Sequence, residues 1–383
     1  MKNVKRIFFV IPLTIIVFHF VITGENLEVR SDQESISKPV GRFGHAMVFD
    51  PIKKCTILFG GTADNTLARL LNDTWIYNYS NNSWKRINLT ICPPARMNHG
   101  MVYDSINQKI ILFGGNSATS GSRACDTWIF DSQSEEWSEL DPEIHPPSAS
   151  DRAMYYDPIN QKIIQFGGFR NVGGHLDETW AYNVENNSWL NLNPSSKPEG
   201  RYGPTLIYDP INQRGLLFGG RVIGVMDDIW AYHYTNNSWV ELHPNDNPPS
   251  RYWHTMVFDS VNRNGIIFGG YGNYPELFND TWNYDVSNNV WTKLDVKTNP
   301  TKRVGHAMAY DSINQKVIMF GGAGLDLNNP YNDTWTFSTS ENTWTNMDAL
   351  KKEKNNSIPG YTFIFTLGAL FCTKYVIKRK KND

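Results

Sequence analysis

Cysteine is scarce in this chain. There are four in 383 residues, Cys55, Cys92, Cys125 and Cys372, and no CxxC pair among them. That spacing speaks against zinc and thioredoxin-like sites. Three of the four lie in the body of the chain, so at most one disulfide forms there and one thiol is left over. An excess of charge of one sign is also lacking. The formal net charge is −2, which gives no electrostatic reason to expect a nucleic-acid partner, whose footprint is a basic patch or stripe. No Ser/His/Asp arrangement and no carboxylate pair stands apart from the rest of the sequence. The chain is therefore not read as an enzyme, and no cofactor or metal is assigned to it.

What the chain does have begins at its two ends. Lys2, Lys5 and Arg6 precede an apolar run from Ile7 to Ile22, followed by Thr23-Gly24 and acidic Glu25. A basic start, a short apolar core and a small residue describe a secretory signal peptide over 1–24; an uncleaved signal anchor exports the remainder equally well. Residues 25–39 read as a linker. At the other end a charged stalk, 348–358, leads to Pro359-Gly360-Tyr361, an apolar run and the cluster Lys378-Arg379-Lys380-Lys381. The apolar stretch is near the lower limit for a membrane-spanning helix, and the basic cluster belongs on the cytoplasmic side. The tail 359–383 also resembles the C-terminal sorting signals of archaeal surface proteins, with Tyr361 where Phe is usual. That resemblance implies removal of the tail and attachment to lipid. A plain membrane anchor stands beside it.

Between the ends lies a repeat. Gly-Gly pairs begin at Gly60, Gly114, Gly167, Gly219, Gly269 and Gly321, at intervals of 54, 53, 52, 50 and 52 residues. Each unit reads roughly Arg-x-Gly-His-x-Met-x-Tyr-Asp, a turn, Ile-Ile-x-Phe-Gly-Gly, a loop, Asn-Asp-Thr-Trp-x-Tyr, a turn, and Asn-Ser-Trp. The turns are rich in Asp, Pro, Asn and Ser, and the segments between them are short, β-branched and aromatic. These residues resemble the kelch family over roughly Val40 to Met347. The resemblance implies an all-β fold, a six-bladed β-propeller over 40–347 with four antiparallel strands per blade. Twelve of thirteen tryptophans fall two per unit, which makes them core between blades. The thirteenth, Trp253, occupies a slot filled by Gly44, Gly203 and Gly305 elsewhere.

The spacings are unequal in rigidity. Strand-one aspartate to Gly-Gly is ten residues in every unit, and the two tryptophans are always nine apart. Only the stretch from Gly-Gly to the first tryptophan varies, from 11 to 15 residues. The variable loop therefore joins the second and third strands, and variable loops on a rigid scaffold usually carry binding residues. Strand alternation puts these loops and the blade-to-blade connections at one end, the variable face. Its candidate binding residues are Arg69, Arg123, Arg170, His175, Arg221, Tyr271, Tyr274 and Tyr331, types enriched at binding hot spots; Asp326 is there too.

Two rings recur at the same end. One is Arg42, Arg96, Arg201, Arg251 and Arg303; the other is Asp73, Asp126, Glu178, Asp228, Asp280 and Asp333. In kelch substrate adaptors some arginines at the matching position hold acidic peptides, but recurring Arg and Asp at one end are expected to pair with each other. The third unit departs, with Ala149 in the arginine slot and Arg152 where others have His45, His99, His254 and His306. These histidines come from different blades, so they are read as structural. Nine sequons are present, three of them (Asn81, Asn186, Asn236) in Asn-rich turns at the opposite end. The expected role is a surface-anchored interaction module for a protein or glycan. The alternatives are an extracytoplasmic enzyme, for which the copper and sialidase signatures of some kelch propellers are missing, and a structural coat component.

Overall fold

The computed structural model describes residues 18–23, 26–31, 38–117 and 123–350. Most of the sequence-predicted signal segment, the stalk from 351, the tail 359–383, Cys372 and the sequon at Asn355 lie outside the described residues. Phe18–Thr23 pairs antiparallel with Asn26–Ser31, on the stretch where the apolar run ends and the expected linker begins. Among the described residues no helix is long and apolar enough to cross a membrane.

Six four-stranded antiparallel sheets follow one another along the chain, each pairing its four strands in chain order, with short extra strands in the loops of blades two and three. Blade one comprises Ala46–Asp50, Cys55–Phe59, Thr74–Asn78 and Ser83–Ile87. Blades two to six span 100–140, 153–191, 205–242, 255–293 and 307–346. The first strands of neighbouring blades pack against one another, the last against the first, so strand one lines the axis.

The hydrophobic pattern explains this order. Strand two of blade one, Cys55–Phe59, is buried along its whole length, because both faces of a blade meet a neighbour. Strand four is the outer edge and exposes polar side chains, as Lys85 and Arg86 do. Each of six apolar clusters joins two adjacent blades; one, with Met47, Leu58, Ile318 and Phe320, joins the sixth to the first. The paired tryptophans belong to this core: Trp137, Trp189, Trp239, Trp291 and Trp344 are all buried. Truncating a tryptophan of this kind costs about 3–5 kcal/mol.

Turns are set by the strand-one aspartate. The Asp50 carboxylate accepts the N–H of Ile52 at 2.8 Å and of Lys53 at 3.0 Å, and Lys54 finishes the turn with φ 54°. At the other end of strand two, Gly61 has φ 93°, and a Cβ there would lie 2.9 Å from the Phe43 carbonyl oxygen. That close approach requires glycine.

Seams between blades carry a repeated polar latch. The indole N–H of Trp137 donates to Thr74 Oγ1 of the preceding blade at 3.0 Å, and Trp189, Trp239 and Trp344 do the same to Thr127, Thr179 and Thr281. Trp84 reaches Thr334 of the last blade at 3.0 Å, and Asn82 Nδ2 donates to the Met347 carbonyl. Side chains and backbone bonds such as Gly322 N–H to the Arg42 carbonyl at 2.8 Å thus close the circle, and among the described residues no strand is exchanged between the first and last blades. Lys38 pairs with Asp348 at 3.1 Å, so the two ends of the propeller lie side by side. Blade five breaks the latch: its Trp291 indole N–H is buried without a partner, and the preceding blade offers Ile229 in the threonine slot.

Candidate functional site

The end that collects the variable loops is built on a fixed ring of ion pairs. Arg42 is fully buried and makes a bidentate contact with Asp73 at 2.6 and 2.9 Å. It also donates to the carbonyls of Gly60 at 2.9 Å and Val40 at 3.1 Å. Arg96, Arg201, Arg251 and Arg303 repeat this with Asp126, Asp228, Asp280 and Asp333. The same carboxylate accepts the indole N–H of the first tryptophan, as Asp73 does from Trp75 at 2.7 Å. Burial raises the Asp73 carboxyl, but the Arg42 hydrogen bonds and charge outweigh it, and the group ends below its ordinary value. The expected pairing of the two rings is what the structure contains, and every guanidinium in the ring is already committed.

Blade three keeps a buried guanidinium at this end by a different route, but bonds it to an amide rather than to the carboxylate. With Ala149 in the arginine slot, Arg152 supplies the guanidinium from three residues further on. It donates to the Pro147 carbonyl at 2.6 Å, the counterpart of the Val40 carbonyl held by Arg42. With the Gln165 amide turned so that its oxygen faces the guanidinium, Gln165 accepts from Arg152 Nη1 at 2.6 Å. Gln165 stands in a slot that is apolar in the other blades, and it is fully buried. Burial lowers the Arg152 pKa to about 9. The three departures Ala149, Arg152 and Gln165 thus make one substitution, while Glu178 keeps the acceptor role toward the Trp180 indole N–H at 2.9 Å.

A second ring surrounds the axis. Gly44 N–H donates to the Gly305 carbonyl, Gly305 to Trp253, Trp253 to Gly203, Gly203 to Asp151, Asp151 to Asn98 and Asn98 back to Gly44, over 2.7 to 3.2 Å. All six residues have φ between 53° and 66°. These six residues, with Arg152 and the four histidines, line an open axial pocket of about 160 Å³. The histidine rings lie edge-on to a phenylalanine of the preceding blade, as His99 does to Phe59 at 5.5 Å. Burial, reinforced by the neighbouring arginine, pushes His99 and His306 down to about 3 and holds His45 and His254 well below the usual histidine value. Among the described residues no group of three or more His, Cys, Asp or Glu is placed to hold a metal ion.

Above these rings, blades three to five carry an aromatic floor. Phe169 and His175 face each other across a small loop hairpin, their ring centroids 5.4 Å apart. His175 stacks on Tyr202 at 5.5 Å. Tyr202 packs on Tyr252 at 5.7 Å and on Trp253 at 6.0 Å, and Tyr252 on Tyr271 at 5.6 Å. Two arginines lie over this floor: Arg123 over Phe169 at 4.8 Å and Arg221 over Tyr252 at 5.4 Å. Arg123 donates to Ser150 Oγ at 3.0 Å and also to Asn171; Arg221 donates to the Tyr252 hydroxyl at 3.1 Å. Ser150 and Trp253 donate to the Asp151 carboxylate at 2.6 and 2.8 Å, yet burial dominates and raises its pKa. Around the floor the loop tips present Val172, Ile223, Tyr274 and Leu325, each at least 60% exposed.

The structure therefore brings Arg123, His175, Arg221 and Tyr271 together. Arg170 pairs with Gly174 in the loop hairpin beside them, and Tyr274 stands at a tip. Arg69 is apart, on a short 3-10 helix of blade one, 3.7 Å from Asp64. Tyr331 belongs to the fixed ring: it lies under the Arg303 guanidinium at 4.6 Å, and its carbonyl accepts the Arg42 N–H. The floor residues Phe169, Tyr202, Tyr252 and Asp151 were not singled out from sequence. A signal was there: the residue after the ring-arginine slot, which Ala149 fills in blade three, is Phe43, Met97, Ser150, Tyr202, Tyr252 or Val304, and tyrosine appears only in blades four and five.

Six consecutive four-stranded blades with one Gly-Gly unit each have their counterpart in sequence comparison. A model of the KLHDC2/KLHL20/DRC7 Kelch-repeats domain matches residues 16–220 and 209–360. The chain belongs to the kelch-repeat family. It is similar to an F-box/kelch-repeat protein of Arabidopsis thaliana, 30% identical over 210 residues, which is 50% of this chain and 42% of that one. Mei4-dependent protein 6 of Schizosaccharomyces pombe is 28% identical over 163 residues, 39% of this chain and 23% of its own. Human Kelch domain-containing protein 2 is 28% identical over 175 residues, 42% of this chain and 40% of its own. Each alignment thus covers less than half the length of the relative. As a kelch propeller the chain is an interaction module in type.

Proposed function

We propose that this kelch propeller binds a protein ligand through the variable face of blades three to five, and that it does so at the cell surface. The observation that carries the reading is the aromatic floor with Arg123 and Arg221 over it, ringed by exposed apolar loop tips. Aromatics and arginine are the types that dominate binding energy. Exposed apolar side chains around such a floor suit the apolar core of a protein interface. A glycan ring would use the floor but has less use for Val172 and Ile223. Surface location rests on the two apolar ends of the sequence and the basic clusters that flank them.

The test is selection from a random displayed peptide library on the purified chain, with Arg221→Ala and Tyr202→Ala run in parallel. Peptides enriched on the wild type and lost on both variants, at unchanged melting temperature, support the reading. Equal enrichment on all three chains overturns it, and oligosaccharide binding without peptide binding replaces the protein ligand by a glycan. Protease treatment of intact cells that leaves the propeller untouched would remove the surface placement.

A further inference from the structure

The axial ring sets six residues in the left-handed region, and five are Gly, Asn or Asp. Those are the types that tolerate it. The sixth is Trp253, with φ 53°. A bulky residue there is a genuine outlier, and backbone strain of this kind clusters at functional sites.

The strain is not needed to close the ring. All six residues make the same backbone hydrogen bond, and Gly44, Gly203 and Gly305 make it with no side chain at all. Nor does the indole enter the core between blades, where the other twelve tryptophans sit. It crosses the mouth of the axial channel from blade five to blade three, where its N–H donates to Asp151 Oδ1 at 2.8 Å. It stands against Gly203, whose Cβ would fall 2.7 Å from Trp253 Cδ1. Tyr252 packs on it at 4.9 Å and Tyr202 edge-on at 6.0 Å. Asp151 is itself held by Ser150, which Arg123 holds in turn. The indole is thus fixed in place before any ligand arrives, yet it remains only half-buried.

We infer that Trp253 is the central contact of the variable face, the surface on which an apolar or planar side chain of the protein ligand is seated. This rests on the reading of that face as the binding face. A rigid aromatic held by hydrogen bonds loses little entropy on binding. Its place between the floor tyrosines and the axis puts it where interface hot spots cluster, at the centre within a less critical rim.

Trp253→Gly tests the inference, because it restores the residue type of three other blades and removes the strain together with the contact. The full chain and this variant are compared in melting temperature and in affinity for peptides selected on the wild type. Trp239→Ala, a core tryptophan, serves as the stability reference, and Asp151→Asn checks the brace. The expected result is a melting temperature within a few degrees of wild type and a loss of affinity of roughly tenfold or more. Asp151→Asn keeps an acceptor for the indole and should lose less. If Trp253→Gly melts as low as Trp239→Ala, the side chain holds the fold and the inference fails. It fails also if peptide affinity is unchanged while Arg221→Ala abolishes it, an outcome that leaves the binding face standing. If neither substitution moves affinity, the binding face itself is wrong.

Discussion

Arg251 and Arg221 stand at the same end of the propeller and touch neighbouring residues, yet they are in opposite states. Arg251 is fully buried, bidentate on Asp280 and capped by the Gly269 carbonyl. Arg221 is half-buried, lies over Tyr252 and makes no ion pair among the described residues. One belongs to the repeated scaffold and the other to the face mounted on it. Residue type alone does not separate them. What separates them is whether the charge is already answered: five ring arginines are matched by five aspartates, while Arg123 bonds the neutral Ser150 and Asn171 over Phe169 and Arg221 bonds only the hydroxyl of the tyrosine it covers. A ligand can supply the missing partner to the second set and has nothing to offer the first.

The broadest break of this comparison is acid, which should act on the scaffold. His45, His99, His254 and His306 are held neutral by burial, with pKa values depressed below the unfolded value near 6.5. The folded state therefore binds fewer protons than the unfolded one. This contribution is present in full above about pH 6.5 and is lost as pH falls toward about 3. Each histidine contributes a slope of up to about 1.4 kcal/mol per pH unit within that window. Urea unfolding at pH 7.5 and 5.5 should show a loss of several kcal/mol, the largest effect expected for this molecule. A flat profile would mean that the histidines gain a proton without cost and that the axial cavity is wetter than the packing indicates.

The next effect separates the two arginine classes directly. Arg251→Ala leaves the Asp280 carboxylate without its cation in a largely buried place, which costs about 3–5 kcal/mol. Arg221→Ala removes one hydrogen bond and one cation–π contact at a half-exposed site, worth under about 1 kcal/mol. Chemical denaturation of the two variants measures both. Similar losses would merge scaffold and face into one network and weaken the case for a ligand at Arg221.

Scaffold and face also differed in how far the sequence revealed them. The Gly-Gly pairs, the Asx turns and the tryptophan positions recur at constant spacing, so blade number and strand order were readable before any coordinates. The pairing of Arg42 with Asp73 followed from both residues recurring at one end. Closure was not readable, because Trp84 and Thr334 are 250 residues apart and each looks like a repeat residue doing local work. On the face, His175 and Arg221 stood out as loop residues. Tyr202 and Tyr252 did not, since they read as the lead-in to a strand. Trp253 was visible as an oddity, but only the backbone angle and the Asp151 contact show what is odd about it. Repetition makes a scaffold legible. A site is made of the departures from it, and one chain offers each departure only once.

The smallest effect expected comes from a gap in the scaffold. Five seams carry a tryptophan-to-threonine hydrogen bond, while in the seam between blades four and five Ile229 leaves the Trp291 N–H buried and unpaired. Ile229→Thr would supply the missing acceptor. An unsatisfied buried donor costs about 1–3 kcal/mol, and removing roughly one methylene from a fully packed site costs about 1 kcal/mol. The net is a gain of about 0.5–1 kcal/mol, a rise in melting temperature of about 1–3 °C. A double-mutant cycle with Trp291→Phe isolates the hydrogen bond from the lost methylene. In the phenylalanine background there is no donor to satisfy, so Ile229→Thr should turn destabilising there. If it destabilises by the same amount in both backgrounds, the latch hydrogen bonds add nothing, and the seams are held by apolar packing alone.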